Sequence, residues 1–221
     1  MPVPEAHLSK NSSTATRALT SGRPYPLSEA DRPSRTAGTR EELEAIVRYL
    51  DVEKSPRYKP TDAQTYCNIY ACDYCYLAGV YLPRVWWNAA ALANWNAGRT
   101  VVENYGVTVN ELNANVLYAW LRDVGADFGW REAVTLDELQ TAANAGQIGV
   151  ICAQRNPLSK SGHIVVVVPE STPPSVAEHA GGTVKVPLQS QAGRMNYCFS
   201  CAPGRWWESL QFSASGFWIH A

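Results

Sequence analysis

The segment TYCNIYACDYCYLAG, residues 65–79, decides the fold and raises the main question about function. From Cys67 it runs without a helix breaker to Gly79, a residue typical of helix C-termini, and Pro83 follows soon after. The preceding stretch EKSPRYKPTDAQ, residues 53–64, contains two prolines and several turn-forming polar residues, which predict an extended approach. The segment is therefore predicted to be a helix that begins at Cys67.

Three more helices are predicted at capping boxes, where a Thr side chain and a Glu three residues later satisfy each other's backbone N–H. The boxes are Thr39 with Glu42, Thr108 with Glu111, and Thr135 with Glu138. They precede EELEAIVRYL, LNANVLYAWLRDVG and LQTAANAG, and the first helix is expected to end near Val52. The segment VWWNAAALANWNAG, residues 85–98, mixes aromatic and polar residues and gives no clear helix or strand pattern.

The pattern changes to short strands rich in β-branched residues after residue 146. These strands are predicted at IGVICA (148–153), HIVVVV (163–168), TVKVPL (183–188) and GFWIH (216–220). Helices followed by strands in this order predict an α+β fold, with the N-terminal helices packed on one face of a C-terminal antiparallel sheet.

Length and composition indicate one globular domain with an N-terminal extension. The chain has 221 residues, of which 46% are hydrophobic. Residues 1–37 hold five prolines and almost no apolar periodicity, so they are predicted to be an extended or disordered arm, with the folded domain at 38–221.

The net charge of -1 and the absence of Lys/Arg runs argue against nucleic acid as a partner. No apolar stretch approaches the roughly 20 residues that span a bilayer, and no secretory signal is recognised, so synthesis in the cytoplasm is expected.

Cys67 is the candidate nucleophile, because a helix N-terminus lowers a thiol's pKa through its unpaired N–H groups and dipole. The alternative is a buried structural cysteine. A general base is also needed, and the histidines are His7, His163, His179 and His220. His163 is favoured, since it follows a turn glycine and opens the most apolar strand of the chain.

The motif YCNIYACDYCYLAGVYLPR (66–84), followed by GHIVVVV (162–168), resembles the papain-like cysteine peptidases of the NlpC and CHAP type, which cleave amide bonds in bacterial peptidoglycan. In that superfamily a Cys opens a helix and a Gly-His pair opens a strand of the following sheet. The wider run, with ELNAN and GWR, is similar to lysin-type cell-wall hydrolase domains, and the resemblance covers about residues 40–221. It departs from the common pattern in the neighbours of the nucleophile, which here are Tyr66 and Asn68.

This resemblance implies a papain-like fold and a thiol hydrolase of peptidoglycan amide bonds that needs no metal or organic cofactor. Its expected partner is the peptidoglycan stem peptide, and it would act in the periplasm or cell wall of a target bacterium, as a phage-type lysin or an injected antibacterial effector. An effector would also imply an immunity protein and delivery machinery. The alternatives are a papain-like protease or acyl-transfer toxin acting on a protein, or a non-catalytic binding domain of the same fold.

A third polar residue is expected to orient the imidazole of the base. Gln189 and Gln191 alternate on the strand that follows His163, so both can face the same way. The resemblance to lysin-type domains favours Gln191, with Gln189, Glu170 and, more remotely, Asn196 as alternatives. The backbone N–H of Cys67 is the first expected donor to an oxyanion, and Tyr66 or Gln64 are candidates for the second.

Two other groups of residues allow both structural and functional interpretations. Cys72-x-x-Cys75 and Cys198-x-x-Cys201 have zinc-site or disulfide spacing, but packed thiols are favoured because the first pair lies within a helix. Most of the tryptophans are expected in the core. Trp86 and Trp87, which follow the Cys67 helix directly, are predicted to line the substrate cleft.

Overall fold

The computed structural model describes residues 3–8, 16–33, 35–172, 175–202 and 204–221. In this part of the chain, five α-helices accompany a six-stranded sheet whose neighbouring strands are all antiparallel. The predicted α+β class is confirmed. Within the same residues, no helix has both the length and the apolar character needed to cross a membrane.

The helices are α1 (Arg40–Leu50), α2 (Cys67–Leu77), α3 (Ala89–Asn96), α4 (Ala114–Asp123) and α5 (Leu136–Asn144). The predicted capping box begins α1, where the Thr39 side chain accepts from Glu42 N and the Glu42 side chain accepts from Thr39 N. Thr135 also caps α5 by accepting from Glu138 N. The Glu138 carboxylate, which the capping box predicts to accept from Thr135 N, accepts from the preceding Val134 N.

The capping box predicted at Thr108 was wrong. Thr108 Oγ1 donates to Val102 O and accepts from Asn104 N, so it closes a loop before the helix. The α4 helix begins five residues further on, where the Asn113 side chain accepts from Val116 N. The intervening residues form strand β2 (Val109–Glu111), which pairs with β1 (Val85–Trp87), and strand pairing keeps them out of the helix.

The large sheet has the order β3, β10, β4, β5, β8, β9. Its strands are β3 (Trp130–Glu132), β4 (Ile148–Arg155), β5 (His163–Val167), β8 (Gln189–Ala192), β9 (Asn196–Ser200) and β10 (Phe212–His220). The runs at 148–153 and 216–220 were predicted correctly, as was the strand that begins at His163. The run at 183–188 is also a strand at Thr183–Val186, β7, but it pairs with β6 (Glu178–Ala180) in a separate hairpin, and the chain re-enters the large sheet only at Gln189.

Helices cover both faces of the large sheet, whereas the sequence predicted one. Alternate residues of β4 and β5 enter two different clusters, as expected when side chains alternate across a strand. Cys152 and Ile164 pack with α1, α2 and α4, while Ile151 and Val165 pack with α5. The α2 helix is buried on nearly all sides, which explains why its sequence is apolar without a polar stripe.

The described parts of the N-terminal arm pack against the domain, although the sequence predicted an arm outside the fold. The fully buried Arg57 forms a two-point ion pair with Asp73, with 2.7 Å between Nε and Oδ2. The same guanidinium donates to Gly22 O at 2.6 Å and Tyr25 O at 2.8 Å, and Leu27 of the arm is buried in the main core cluster. Hydrogen bonds to backbone carbonyls therefore hold the arm on the domain. Such bonds do not depend on apolar periodicity, on which the prediction of an external arm was based.

Candidate active site

Cys67 is the first residue of α2, as predicted, and its side chain is buried. Tyr66 precedes it with φ -124° and ψ 34°, outside the helical region, so the helix starts at the cysteine. Backbone N–H groups of Asn68 and Ile164 donate to the sulfur. The thiol therefore lies between the start of α2 and the start of the central strand β5, and the backbone of each element donates to it.

His163 is the first residue of β5 and forms a side-chain hydrogen bond with Cys67. Its Nε2 lies 2.5 Å from Oε1 of Gln191 on β8. Gln191 Nε2 donates to Met195 O at 2.9 Å, which turns the amide oxygen towards the imidazole. An acceptor at this position keeps a proton on Nε2, so Nδ1 is the ring nitrogen left for the sulfur. The structure thus brings together the three residues predicted to be catalytic.

The electrostatics of this pair favour separated charges. Burial by itself raises the pKa of Cys67, but the hydrogen bond and charge of His163, together with the N–H groups of Ile164 and Asn68, bring it below its ordinary value. Burial lowers the pKa of His163, but Cys67 and then Gln191 outweigh it, and the pKa is raised. Both shifts increase the population of a thiolate beside an imidazolium.

The other cysteines behave in the opposite way. Of the six cysteines, all of which the structure describes, Cys67 alone has a lowered pKa. Burial raises the pKa of Cys72 to about 12 and that of Cys152 well above its usual value. Since thiolates are the reactive form, this contrast separates Cys67 from its structural neighbours.

A cavity of about 1280 Å³ opens beside Cys67, His163 and Gln191. Its walls come from the N-terminal arm, the approach to α2, the residues that begin α4, the loop between β4 and β5, and the segment after β9. Among the lining residues are Thr20, Arg23, Gln64, Tyr66, Asn113, Arg155, Lys160, Gly162, Trp206 and Phe212. A buried nucleophile therefore has open access to a large substrate.

No family model, curated protein or solved structure matches this chain. A thiolate can attack an electrophilic carbon in the cavity, and the adjacent imidazolium can supply a proton to the leaving group. The family resemblance of the two motifs stays a prediction.

The Gly-His pair has a structural reason in this fold. A Cβ on Gly162 would lie 2.4 Å from Ala153 O and 2.5 Å from Asn115 Oδ1, closer than real side chains approach. Gly162 therefore lets the loop pass tightly between β4 and α4 immediately before His163. Asn68, the residue after the nucleophile, donates from Nδ2 to Leu112 O at 2.9 Å and ties α2 to the segment before α4.

Gln189 and Glu170, the alternatives to Gln191, have other roles. Gln189 Oε1 accepts from Trp206 Nε1 at 2.8 Å, and the Trp206 ring meets the His163 ring edge to face with centroids 4.7 Å apart. Gln189 thus holds an aromatic wall against the imidazole. Glu170 follows the opposite end of β5, where it accepts from Asn144 Nδ2 at 2.6 Å and Ala177 N at 2.8 Å.

Both candidates for a second oxyanion donor line the cavity. The Tyr66 hydroxyl accepts from Arg23 Nη1 at 2.9 Å, and the guanidinium lies over the Tyr66 ring at 3.7 Å from its centre. Gln64 Oε1 is 3.4 Å from the same hydroxyl. The arm residue Arg23 therefore orders this wall, and the roles of Tyr66 and Gln64 towards substrate stay predictions.

Trp86 and Trp87 are not in the wall of this cavity, contrary to the sequence prediction. Trp86 packs edge to face on Trp120 and Phe128, and Trp87 Nε1 donates to Pro4 O at 2.9 Å under the arm. Strand β1 directs these neighbours to opposite sides, and neither side faces Cys67. The tryptophan beside the base is Trp206, which was expected in the core. Its place beside His163 depends on a long-range contact that no local pattern indicates.

The two Cys-x-x-Cys pairs contain free thiols. Cys72 and Cys75 are buried in α2, and Cys72 Sγ lies 3.6 Å from Pro83 O. Cys198 and Cys201 are half-buried at the edge strand β9. Throughout the described ranges, no three His, Cys, Asp or Glu side chains are grouped to hold a metal ion.

Proposed function

We propose that this protein is a thiol hydrolase that cleaves an amide bond in peptidoglycan, with Cys67 as nucleophile, His163 as acid and base, and Gln191 as the residue that orients His163. The carrying observation is the Cys67–His163–Gln191 hydrogen-bonded row on the wall of an open cavity. Among the described cysteines, only Cys67 combines a helix N-terminus, a histidine partner and a lowered pKa.

In the first step the Cys67 thiolate attacks the carbonyl carbon of the substrate amide. The carbonyl oxygen becomes negative, and the backbone N–H of Cys67 at the start of α2 is a donor suited to stabilise it. The tetrahedral intermediate collapses with cleavage of the C–N bond, and the imidazolium of His163 gives its Nδ1 proton to the departing nitrogen. The products are a free amine and a thioester on Cys67.

In the second step a water molecule attacks the thioester carbon while neutral His163 accepts the water proton at Nδ1. The C–S bond breaks, the thiolate returns, and a carboxylic acid leaves. Gln191 keeps the other ring nitrogen protonated in both steps, which prevents the imidazole from turning its wrong nitrogen to the sulfur. The Trp206 ring packs edge to face against the same imidazole.

Peptidoglycan is proposed as the substrate because the Cys and Gly-His motifs resemble those of cell-wall hydrolases. The cavity also exceeds the roughly 300–1,000 Å³ of typical small-ligand sites, so it has room for a branched peptide. The proposal places the activity in the periplasm or cell wall of a target bacterium, after release as a lysin or delivery as an effector. An immunity protein would then be expected to block the cavity that contains Cys67.

Two measurements test this proposal. Iodoacetamide at near-neutral pH is expected to alkylate Cys67 faster than any of the other five cysteines, and a slow Cys67 would favour a non-catalytic binding domain. Purified sacculi and unfolded casein are then offered separately, with product analysis by mass spectrometry. Muropeptides with new amino and carboxyl ends support the proposal, whereas cleavage of casein alone would assign the site to a protein substrate.

A further inference from the structure

We infer that the cavity selects a substrate with a carboxylate about two residues from the scissile amide, bound by Arg155 with Lys160 beside it. This inference rests on the proposed function, since it names the chemistry of the substrate at the same site. It concerns residues on the loop side of the cavity, away from the Cys67–His163 contact.

The cavity wall is strongly cationic. Among the described residues, five basic side chains line it against one carboxylate, Glu111. Three of the five are already bound within the protein. Arg23 donates to backbone carbonyls and Tyr66, Arg84 pairs with Glu111 at 2.7 Å, and Arg194 donates to the carbonyls of residues 61 and 62. The remaining two are Arg155 and Lys160.

Arg155 is half-buried, and its Nε is a buried donor without a hydrogen-bond partner in the described part of the chain. Its guanidinium lies over the Phe212 ring at 5.5 Å from the centre. A buried donor without a partner is costly, and native proteins keep few of them. The fork of N–H groups that Arg presents fits a carboxylate at two points.

One buried amide holds the backbone that carries both cationic side chains. Asn115 Oδ1 accepts from Arg155 N at 2.8 Å, and its Nδ2 donates to Leu158 O at 3.1 Å and Lys160 O at 2.9 Å. Asn115 thus holds the end of β4 and the following loop in one arrangement. A site formed in advance loses less entropy when it binds a ligand.

The register of the sheet gives the spacing between Arg155 and the strand position opposite the base. His163 pairs with Ala153, and Arg155 is two residues beyond Ala153 along β4, about 7 Å from Ala153 and on the same face. A row of rings connects them: Trp206 contacts His163 and also Phe212, with centroids 5.4 Å apart in the second contact. An extended substrate advances about 3.3 Å per residue, so Arg155 faces a group about two residues from the amide at Cys67.

The test uses three bromoacetyl peptides that alkylate Cys67 by the same reaction, in which Sγ displaces bromide. Bromoacetyl-Gly-Glu-amide carries a side-chain carboxylate, bromoacetyl-Gly-Gln carries a terminal one, and bromoacetyl-Gly-Gln-amide carries none. Rates at Cys67 are measured by peptide mass spectrometry and divided by the rates with glutathione, which removes intrinsic differences. Because all three consume the same thiolate, changes in the pKa of Cys67 cancel in the ratio.

We expect at least one anionic peptide to react about tenfold faster than the neutral one, as for a single charge-assisted hydrogen-bonded pair. The faster anionic peptide identifies the source of the carboxylate. Arg155→Gln should reduce the ratio to about one, Arg155→Lys should keep part of it, and Lys160→Gln should reduce it less. Arg122→Gln, which removes an exposed cation paired with Asp123 on α4, should leave the ratio unchanged.

Equal normalised rates for all three peptides, or an unchanged ratio in Arg155→Gln, would overturn the inference. This outcome is separable from a failure of the proposed function. If sacculi are not digested but the anionic preference depends on Arg155, peptidoglycan is wrong and carboxylate selection stands. If sacculi are digested and the preference is absent, the proposed function stands and carboxylate selection is wrong.

Discussion

Replacing Gln191 by alanine should raise the pKa of Cys67, although Gln191 acts on Cys67 only through His163. Gln191 Oε1 accepts the Nε2 proton of His163 at 2.5 Å, and this bond is strongest when the ring is charged. Without it, a buried ring N–H loses its acceptor and the imidazolium is destabilised. The thiolate that depends on the imidazolium is then destabilised as well.

The size of this effect follows from the value of a hydrogen bond to a charged group, about 1.5–3 kcal/mol. At 1.36 kcal/mol per pKa unit, the pKa of His163 should fall by about one to two units, with a matching rise for Cys67. In the wild type, Cys67 alkylation is lost as the pH falls through its lowered pKa. In Gln191→Ala that loss should occur at a pH about one to two units higher than in the wild type.

The assay is the iodoacetamide rate at Cys67 between pH 4 and 9, followed on the peptide that contains it because the other thiols also react. Gln191→Glu is the matched variant, since it keeps an acceptor of similar length and should preserve or extend alkylation at low pH. Circular dichroism melting separates a change in reactivity from a loss of fold. Identical pH profiles for wild type and a folded Gln191→Ala would refute the role assigned to Gln191.

Three further substitutions test the surroundings of the site. Asp73→Ala leaves the charge of Arg57 buried without its partner, so urea unfolding should show a loss of about 3–5 kcal/mol, and a loss below about 1 kcal/mol would contradict the role of the pair. Gly162→Ala forces a Cβ against two oxygens, so it should slow Cys67 alkylation and lower the free energy of unfolding by about 1–3 kcal/mol. A wild-type alkylation rate and a wild-type stability would show that the loop adapts to the added Cβ. Trp206→Leu exposes one side of the imidazole and should lower kcat about tenfold or more. Trp207→Leu is the control, because the Trp207 ring packs on Phe217, and it should lower stability with little effect on kcat. Equal effects of the two substitutions on kcat would argue against a specific role of Trp206.

The features that the sequence predicted well carry local signals. The start of α2 at Cys67 follows from prolines before it and a glycine after it, and the strand at His163 follows from a continuous β-branched run. Strand alternation placed Gln189 and Gln191 on one face, and the resemblance of the motifs to lysin-type domains favoured Gln191. The local signals and this resemblance together selected the three residues that the structure brings together.

The features that the sequence predicted poorly depend on contacts between distant segments. Trp206 is held beside His163 by its hydrogen bond to Gln189, 17 residues earlier in the chain, and no local sequence pattern predicts that bond. The arm is fastened by Arg57 through backbone carbonyls, which any sequence can offer. Asn113 replaced Thr108 as a helix cap because strand pairing between β1 and β2 competed with the helix.

The most direct test of Cys67 as the nucleophile is digestion of purified sacculi in H₂¹⁸O by the wild type and by a folded Cys67→Ala variant. Released muropeptides are analysed by mass spectrometry for new amines and for ¹⁸O in new carboxyl groups. The wild type should release fragments with ¹⁸O in the carboxyl group at the cleaved amide, and Cys67→Ala should release none above the buffer control. Labelled fragments from Cys67→Ala at the wild-type rate, or no fragments from the wild type, would contradict thiol hydrolysis of peptidoglycan by this site.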